Sequence, residues 1–233
     1  MIKLYGDIGT SNLGDFLNSL PVLSGMSKTF NHKIQLILQS DMIKFNGIRE
    51  LIEYQDFIDW VKFDHEVPIE EKRDFIPFNS WVDPIYDGIA PMETTRYQKK
   101  FGLYGINFDI DNDYILKIQD IDIDCSGLFY VGDRCLLSTN DKSRPSGILY
   151  DSGKFNDCYF IDYSKSCMHN ANIIKKCGKF ISTFTGIAVM ADLLNVDFDL
   201  YYDSDFDGWA EQPIEYSYKK HFYMNRKSNL KLL

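Results

Sequence analysis

The chain has 233 residues, of which 45% are hydrophobic and 25% charged, with a formal net charge of −9. That balance belongs to a packed globular protein; it excludes disordered and collagen-like chains and argues against nucleic-acid attraction spread over the whole surface. The longest apolar stretch, 180–194, is broken by Ser182, Thr183, Thr185 and Asp192, far short of the ~18 apolar residues of a spanning helix.

In chain order, Ile2–Tyr5 predicts a strand and Gly6–Asn12 a turn. A helix follows over 14–28, with Leu13, Phe16, Leu17, Leu20 and Leu23 at helical spacing, Ser11 or Asn12 as its cap, and a kink at Pro21. Lys33–Gln39 predicts a second strand, Met42–Tyr54 a second helix and Phe57–Phe63 a third strand. This alternation implies a parallel, doubly wound sheet. Prolines 68, 77, 84 and 91 weaken the pattern over 64–107, and the acidic run 106–123 reads as a linker. Alternation resumes with strands at 128–131, 147–150, 158–162, 179–182 and 198–202, and helices at 168–177 and 186–194. The last 18 residues hold five basic groups and no acid, and predict a basic C-terminal helix. The fold class is therefore α/β, in two consecutive halves with the ligand expected in the cleft between them.

Three segments can carry chemistry. In Ser11–Pro21, Gly14 lets a ligand approach the backbone, and Asp15 stands in the first helical turn at the carboxyl end of strand one. A carboxylate there either takes a proton from a hydroxyl or simply profits from the helix dipole. In Phe180–Leu194, a strand runs through Thr185-Gly186-Ile187 straight into a helix whose free N–H groups either form a phosphate cradle or belong to an ordinary strand-to-helix turn. In Ser138–Pro145, Lys142 and Arg144 lie in a polar loop that is either simply solvated or able to offset a diphosphate. The five cysteines include no CxxC pair and the four histidines no HxxxH, so no metal site is predicted. Asp203 and Asp205 form an acidic pair after a strand, read as a surface loop or as a cation-binding DxD.

Taken together and in this order, the three segments resemble the heptosyltransferase family of bacterial lipopolysaccharide synthesis, glycosyltransferase family 9. Leu13-Gly14-Asp15 and Leu20-Pro21 match its opening turn and helix, Thr139, Lys142 and Pro145 its Thr-rich loop, and Thr185-Gly186 its second helix start. Phe184 stands where the family has Asp, Val189 where it has His and Arg144 where it has an aromatic. The resemblance implies a GT-B-like fold of two facing Rossmann-like domains, with a C-terminal helix returning to the first. Their expected bounds are 1–115 on the acceptor side, 116–215 for the nucleotide sugar, and 216–233 for the helix. It further implies inverting, metal-independent transfer from a nucleotide-sugar co-substrate, without a cofactor. Asp15 is then the catalytic base, with Asn12 and Gly14 on the acceptor side. Thr139, Lys142, Thr185, Gly186 and Ile187 become the donor site.

The acceptor is expected to be a saccharide or a hydroxymethylated DNA base of a phage. For DNA, the basic clusters Arg96, Lys99, Lys100 and Lys219, Lys220, Arg226, Lys227 would track phosphates. The rival readings are a non-catalytic nucleotide-sugar binding module and a metal-dependent GT-A-type transferase using Asp203 and Asp205. A cytoplasmic protein is expected (host cytoplasm if viral), with no transmembrane segment.

Overall fold

The computed structural model describes residues 1–6, 13–78, 105–132, 157–202 and 227–232. The chain divides into two compact units, Met1–Lys117 and Ile118–Leu233. Among the described residues no helix is long and apolar enough to cross a membrane.

The first unit is built on strands β1 (Ile2–Gly6), β2 (Ile34–Leu38), β3 (Ile58–Phe63) and β4 (Ile76–Phe78). All pairings are parallel, in the order β3-β2-β1-β4. β4 was hidden in sequence by its central Pro77, which faces Tyr5 across the ladder. It lies at the end of the sheet order, where a residue without an N–H is tolerated. Helix α1 (Leu13–Phe30) runs on through Pro21. The expected single helix over 42–54 is instead a 3₁₀ turn (Ser40–Lys44) and a short α2 (Ile48–Glu53). Gly47, at φ 70°, separates them in a left-handed conformation open to glycine. A 3₁₀ turn (Asp64–Glu66) and α3 (Ile69–Lys72) lead from β3 to β4.

Segment 105–123 forms no regular element, but it is not a loose linker. Phe108, Asp111, Tyr114 and Leu116 are buried. The Asp111 carboxylate accepts from Ser24 Oγ at 2.6 Å and pairs with Lys28 Nζ at 2.7 Å, while its main-chain N–H donates to the Pro21 carbonyl. Burial alone would raise this carboxyl; the hydrogen bonds from Lys28 and Ser24 outweigh it and hold the group below the usual range. The approach to α1 is so close that a Cβ at Gly25 would run into the Asp109 carbonyl. Most of α1 from Leu13 to Ser27 is buried, with this strap along one side.

Two buried amides hold the strap on either side of the unit boundary. Gln55 donates to the carbonyls of Leu51 and Lys117, and its Oε1 accepts from the Tyr114 hydroxyl and the Lys117 N–H, both at 3.0 Å. In the second unit, Asn172 donates to the carbonyls of Gln119 and Met168 and accepts from Ile121 N–H at 3.1 Å. Irregular backbone cannot pair with itself, so these side chains supply its partners.

The second unit has β5 (Phe129–Val131), β6 (Tyr159–Phe160), β7 (Lys179–Ser182), β8 (Phe198–Tyr202) and β9 (Ser228–Leu232). They are parallel, in the order β6-β5-β7-β8-β9. Helices α4 (Cys167–Lys176) and α5 (Gly186–Leu193) precede and follow β7. The expected C-terminal helix over 216–233 is corrected at its end, since 228–232 form strand β9, paired with β8 from Phe198↔Ser228 to Tyr202↔Leu232. Asn229 and Lys231 are exposed while Ser228 and Leu230 are half-buried. That two-residue period belongs to a strand, and the run of basic residues had masked it.

Replacing Gln55 by Leu keeps the volume but strips the Lys117 backbone and the Tyr114 hydroxyl of their partner. Stability should fall by about 2 kcal/mol, measured by urea denaturation; an unchanged midpoint would show the clamp to be dispensable.

Candidate functional site

In an open parallel sheet, ligands bind at the carboxyl ends of the strands where the direction of winding reverses. In the first unit that point lies between β1 and β4, and in the second between β5 and β7. Both fall on segments singled out in the sequence.

At the first, β1 ends at Gly6 and α1 begins at Leu13. Gly14 and Asp15 occupy the first helical turn and are half-buried. The helix dipole favours a charged carboxylate there. The same sheet edge carries residues that sequence reasoning did not single out. Ser40, directly after β2, accepts from the His65 main-chain N–H at 3.2 Å and lies 2.8 Å from His65 Nδ1. A hydroxyl has one donor and two acceptor sites, so Ser40 Oγ holds both the His65 main chain and its ring. The His65 ring is stacked parallel to Phe63.

Asp64 accepts from the Tyr5 hydroxyl at 2.7 Å and from Lys72 Nζ at 2.6 Å. Glu66 is paired with Arg49, whose guanidinium covers the Phe63 ring, and accepts from the Phe63 N–H at 2.7 Å. The Lys72 hydrogen bond is the main influence keeping Asp64 below the ordinary carboxylate range, and the Arg49 hydrogen bond does the same for Glu66. The available signal was positional: Ser40 and 64–66 directly follow apolar strands.

At the second point, β5 ends in Val131-Gly132 and β7 runs through Ser182 and Thr183 to Thr185. Thr185 caps α5 (φ −130°, ψ 167°), its Oγ1 accepting from Ala188 N–H at 3.4 Å and lying 3.2 Å from Ser182 Oγ. Its carbonyl takes the Val189 N–H. The N–H groups of Gly186 and Ile187 are then the ones with no acceptor inside the helix. Gly132 passes so close that a Cβ would come within 2.5 Å of Ser182 Oγ, and its carbonyl accepts from the Tyr163 hydroxyl at 2.6 Å. The Ile187 side chain is buried, so its backbone is what it can offer a ligand. Phe184 and Val189 are buried as well, giving this helix start apolar packing where the resembling family has an acid and a histidine.

Asn12, Thr139, Lys142, Arg96, Lys99, Lys100, Lys219, Lys220, Arg226, Asp203 and Asp205 lie outside the described residues. Lys227 is exposed just before β9. Among the described residues no group of three or more His, Cys, Asp or Glu side chains is arranged to hold a metal. Four described cysteines are thiols; burial pushes Cys177 up to about 11 and raises Cys125 and Cys158, so these three are poor nucleophiles. A groove of about 530 Å³ in the first unit takes in Lys28, Asn31, His32 and Lys117. It lies at the far end of α1 from Asp15.

No family model matches the chain, and no curated protein matches it. Solved structures do. A glycosyl transferase family 9 protein from Veillonella parvula DSM 2008 superposes with a TM-score of 0.60 at 12% identity, over 99% of this chain and 85% of that one. The fold is GT-B-like. E. coli ADP-heptose lps heptosyltransferase II superposes with a TM-score of 0.57 at 10% identity, over 99% and 90% of the two chains. E. coli heptosyltransferase WaaC with ADP gives 0.50 at 11%, over 100% and 93%.

The Thr185 cap can be tested apart from any activity. Thr185→Ala should cost about 1 kcal/mol of stability, while Thr185→Ser should retain most of it; equal thermal melts for the two variants would show that the hydroxyl caps nothing.

Proposed function

We propose that this protein is a glycosyltransferase that moves a sugar from a nucleotide-sugar donor to an acceptor hydroxyl, with inversion and without a metal. The observation that carries this reading is the carboxylate of Asp15 in the first turn of α1, at the reversal point of a GT-B-like first unit. In one displacement, Asp15 takes the proton of the acceptor hydroxyl as its oxygen attacks the anomeric carbon. The bond from that carbon to the diphosphate breaks, and the nucleoside diphosphate leaves with the electron pair.

The second unit supplies the donor side of this reading. The N–H groups of Gly186 and Ile187 at the start of α5, with the Thr185 hydroxyl beside them, suit the diphosphate. Thr139 and Lys142 are proposed to complete the charge balance. The structural neighbours support a nucleotide donor through one whose own structure contains ADP. A saccharide hydroxyl is the favoured acceptor, since two of those neighbours are heptosyltransferases.

The experiment is transfer from a panel of nucleotide sugars, read by mass spectrometry. Asp15→Asn should lower the rate by about 10²-fold or more while nucleotide affinity, measured by calorimetry, stays within about twofold. Turnover at the wild-type rate would remove Asp15 as the base. EDTA should leave the wild-type rate unchanged; a loss restored by Mg²⁺ or Mn²⁺ would instead favour Asp203 and Asp205 as ligands.

A further inference from the structure

Asp15 shares its sheet edge with the loops after β2 and β3. Neighbouring strands stand ~4.8 Å apart, so these loops lie about one and two strand spacings from the one that leads to Asp15. An acceptor longer than one sugar ring, with its reacting hydroxyl at Asp15, therefore extends over Ser40 and the 64–66 turn.

Among the described residues of this edge, two cations are held in ion pairs and two lie over aromatic rings. Lys72 is held by Asp64 and Arg49 by Glu66. Lys44 lies over the Phe45 ring at 5.1 Å and Lys62 over the Trp60 ring at 4.9 Å. A phosphate that reached Lys72 or Arg49 would also meet the carboxylate already paired with that cation. Like charges at that distance cost binding energy and act as a filter against such ligands. The edge also carries the Ser40–His65 pair. Its imidazole lies 2.8 Å from Ser40 Oγ and is stacked on Phe63, and the residue is exposed. A hydroxyl–imidazole pair beside an aromatic face suits a sugar hydroxyl.

We infer that the acceptor is a saccharide without phosphate groups near the transfer site, and that Ser40 and His65 bind one of its hydroxyls. This rests on the glycosyltransferase reading above. It names a substrate class that neither the fold nor Asp15 dictates.

The test uses the whole chain with p-nitrophenyl disaccharides, the same disaccharides carrying a 6-phosphate, and a hydroxymethylated DNA duplex. ADP-, GDP-, UDP- and CMP-linked sugars serve as donors. The neutral glycosides should be preferred in kcat/KM by about tenfold or more, with little change between roughly 50 and 200 mM salt. His65→Gln and Ser40→Ala should each raise the KM for the glycoside by about tenfold and leave the donor KM unchanged. The double variant Asp64→Asn/Glu66→Gln, which releases Lys72 and Arg49, should narrow the preference against the phosphorylated glycosides. Circular dichroism and melting curves establish that each variant is folded.

If wild-type protein turns over no nucleotide sugar, with water or with any acceptor, the glycosyltransferase reading itself falls. Donor turnover combined with a preference for phosphorylated glycosides or DNA, or with no transfer to neutral glycosides, overturns this inference and leaves that reading standing. Variants of Ser40 and His65 with wild-type acceptor KM would remove the pair from the site.

Discussion

The Asp111 carboxylate, set between Ser24 Oγ and Lys28 Nζ, decides how α1 is held. The helix is fixed well beyond its first turn, because the strap lies against it from Pro21 to Lys28. Two hydrogen bonds outweigh the cost of burying the Asp111 charge, so the carboxylate stays ionised and retains Lys28. The close approach at Gly25 makes the arrangement unforgiving of added volume, because the obstructing atom is a backbone carbonyl that cannot rotate away.

The strap shows how irregular chain can be as firmly placed as a strand. Each end of its path over the unit boundary is met by a buried amide, Gln55 in the first unit and Asn172 in the second. A carboxamide offers a donor and an acceptor in one plane, so it imitates a neighbouring strand for a single residue. Lys117 thus receives both of the partners that a ladder would have provided, and Gln119 and Ile121 share the equivalent role on Asn172.

The two reversal points differ in kind, and the difference accords with a division of labour. The first is rich in ionised groups paired with one another, together with a hydroxyl–imidazole pair. The second offers backbone N–H groups and hydroxyls at a helix start whose surroundings are apolar, with Phe184 and Val189 buried. Backbone donors in a poorly solvated setting attract an anion without needing a salt-bridge partner, since water competes weakly there. Balanced ion pairs act in the opposite sense and make their surroundings indifferent to charge.

Much of this was legible in the residues. Apolar runs of strand length alternating with helical periodicity marked both parallel sheets. The Leu13-Gly14-Asp15 and Thr185-Gly186 starts could be read because a turn into a helix is a local event, set by the few residues that make it. The breaks were also local where they were missed: Gly47 starts α2 afresh within an otherwise continuous helical pattern, and β9 alternates beneath a basic composition. What the sequence could not disclose depends on partners distant in the chain. Asp111 is 87 residues from Ser24, and Lys117 is 62 from Gln55, so an acidic, alternating stretch looked like a linker until folding brought its partners beside it. Likewise Pro77 argued against a strand until the sheet order gave it an end position. By itself, then, the sequence determined β1 to β3, β5, β7, β8 and the helices that start at 13, 167 and 186, because periodicity and capping act within a turn or two. Only the tertiary structure decided which charges are neutralised and which hydroxyl meets which imidazole, because those balances arise between segments that are neighbours in space alone.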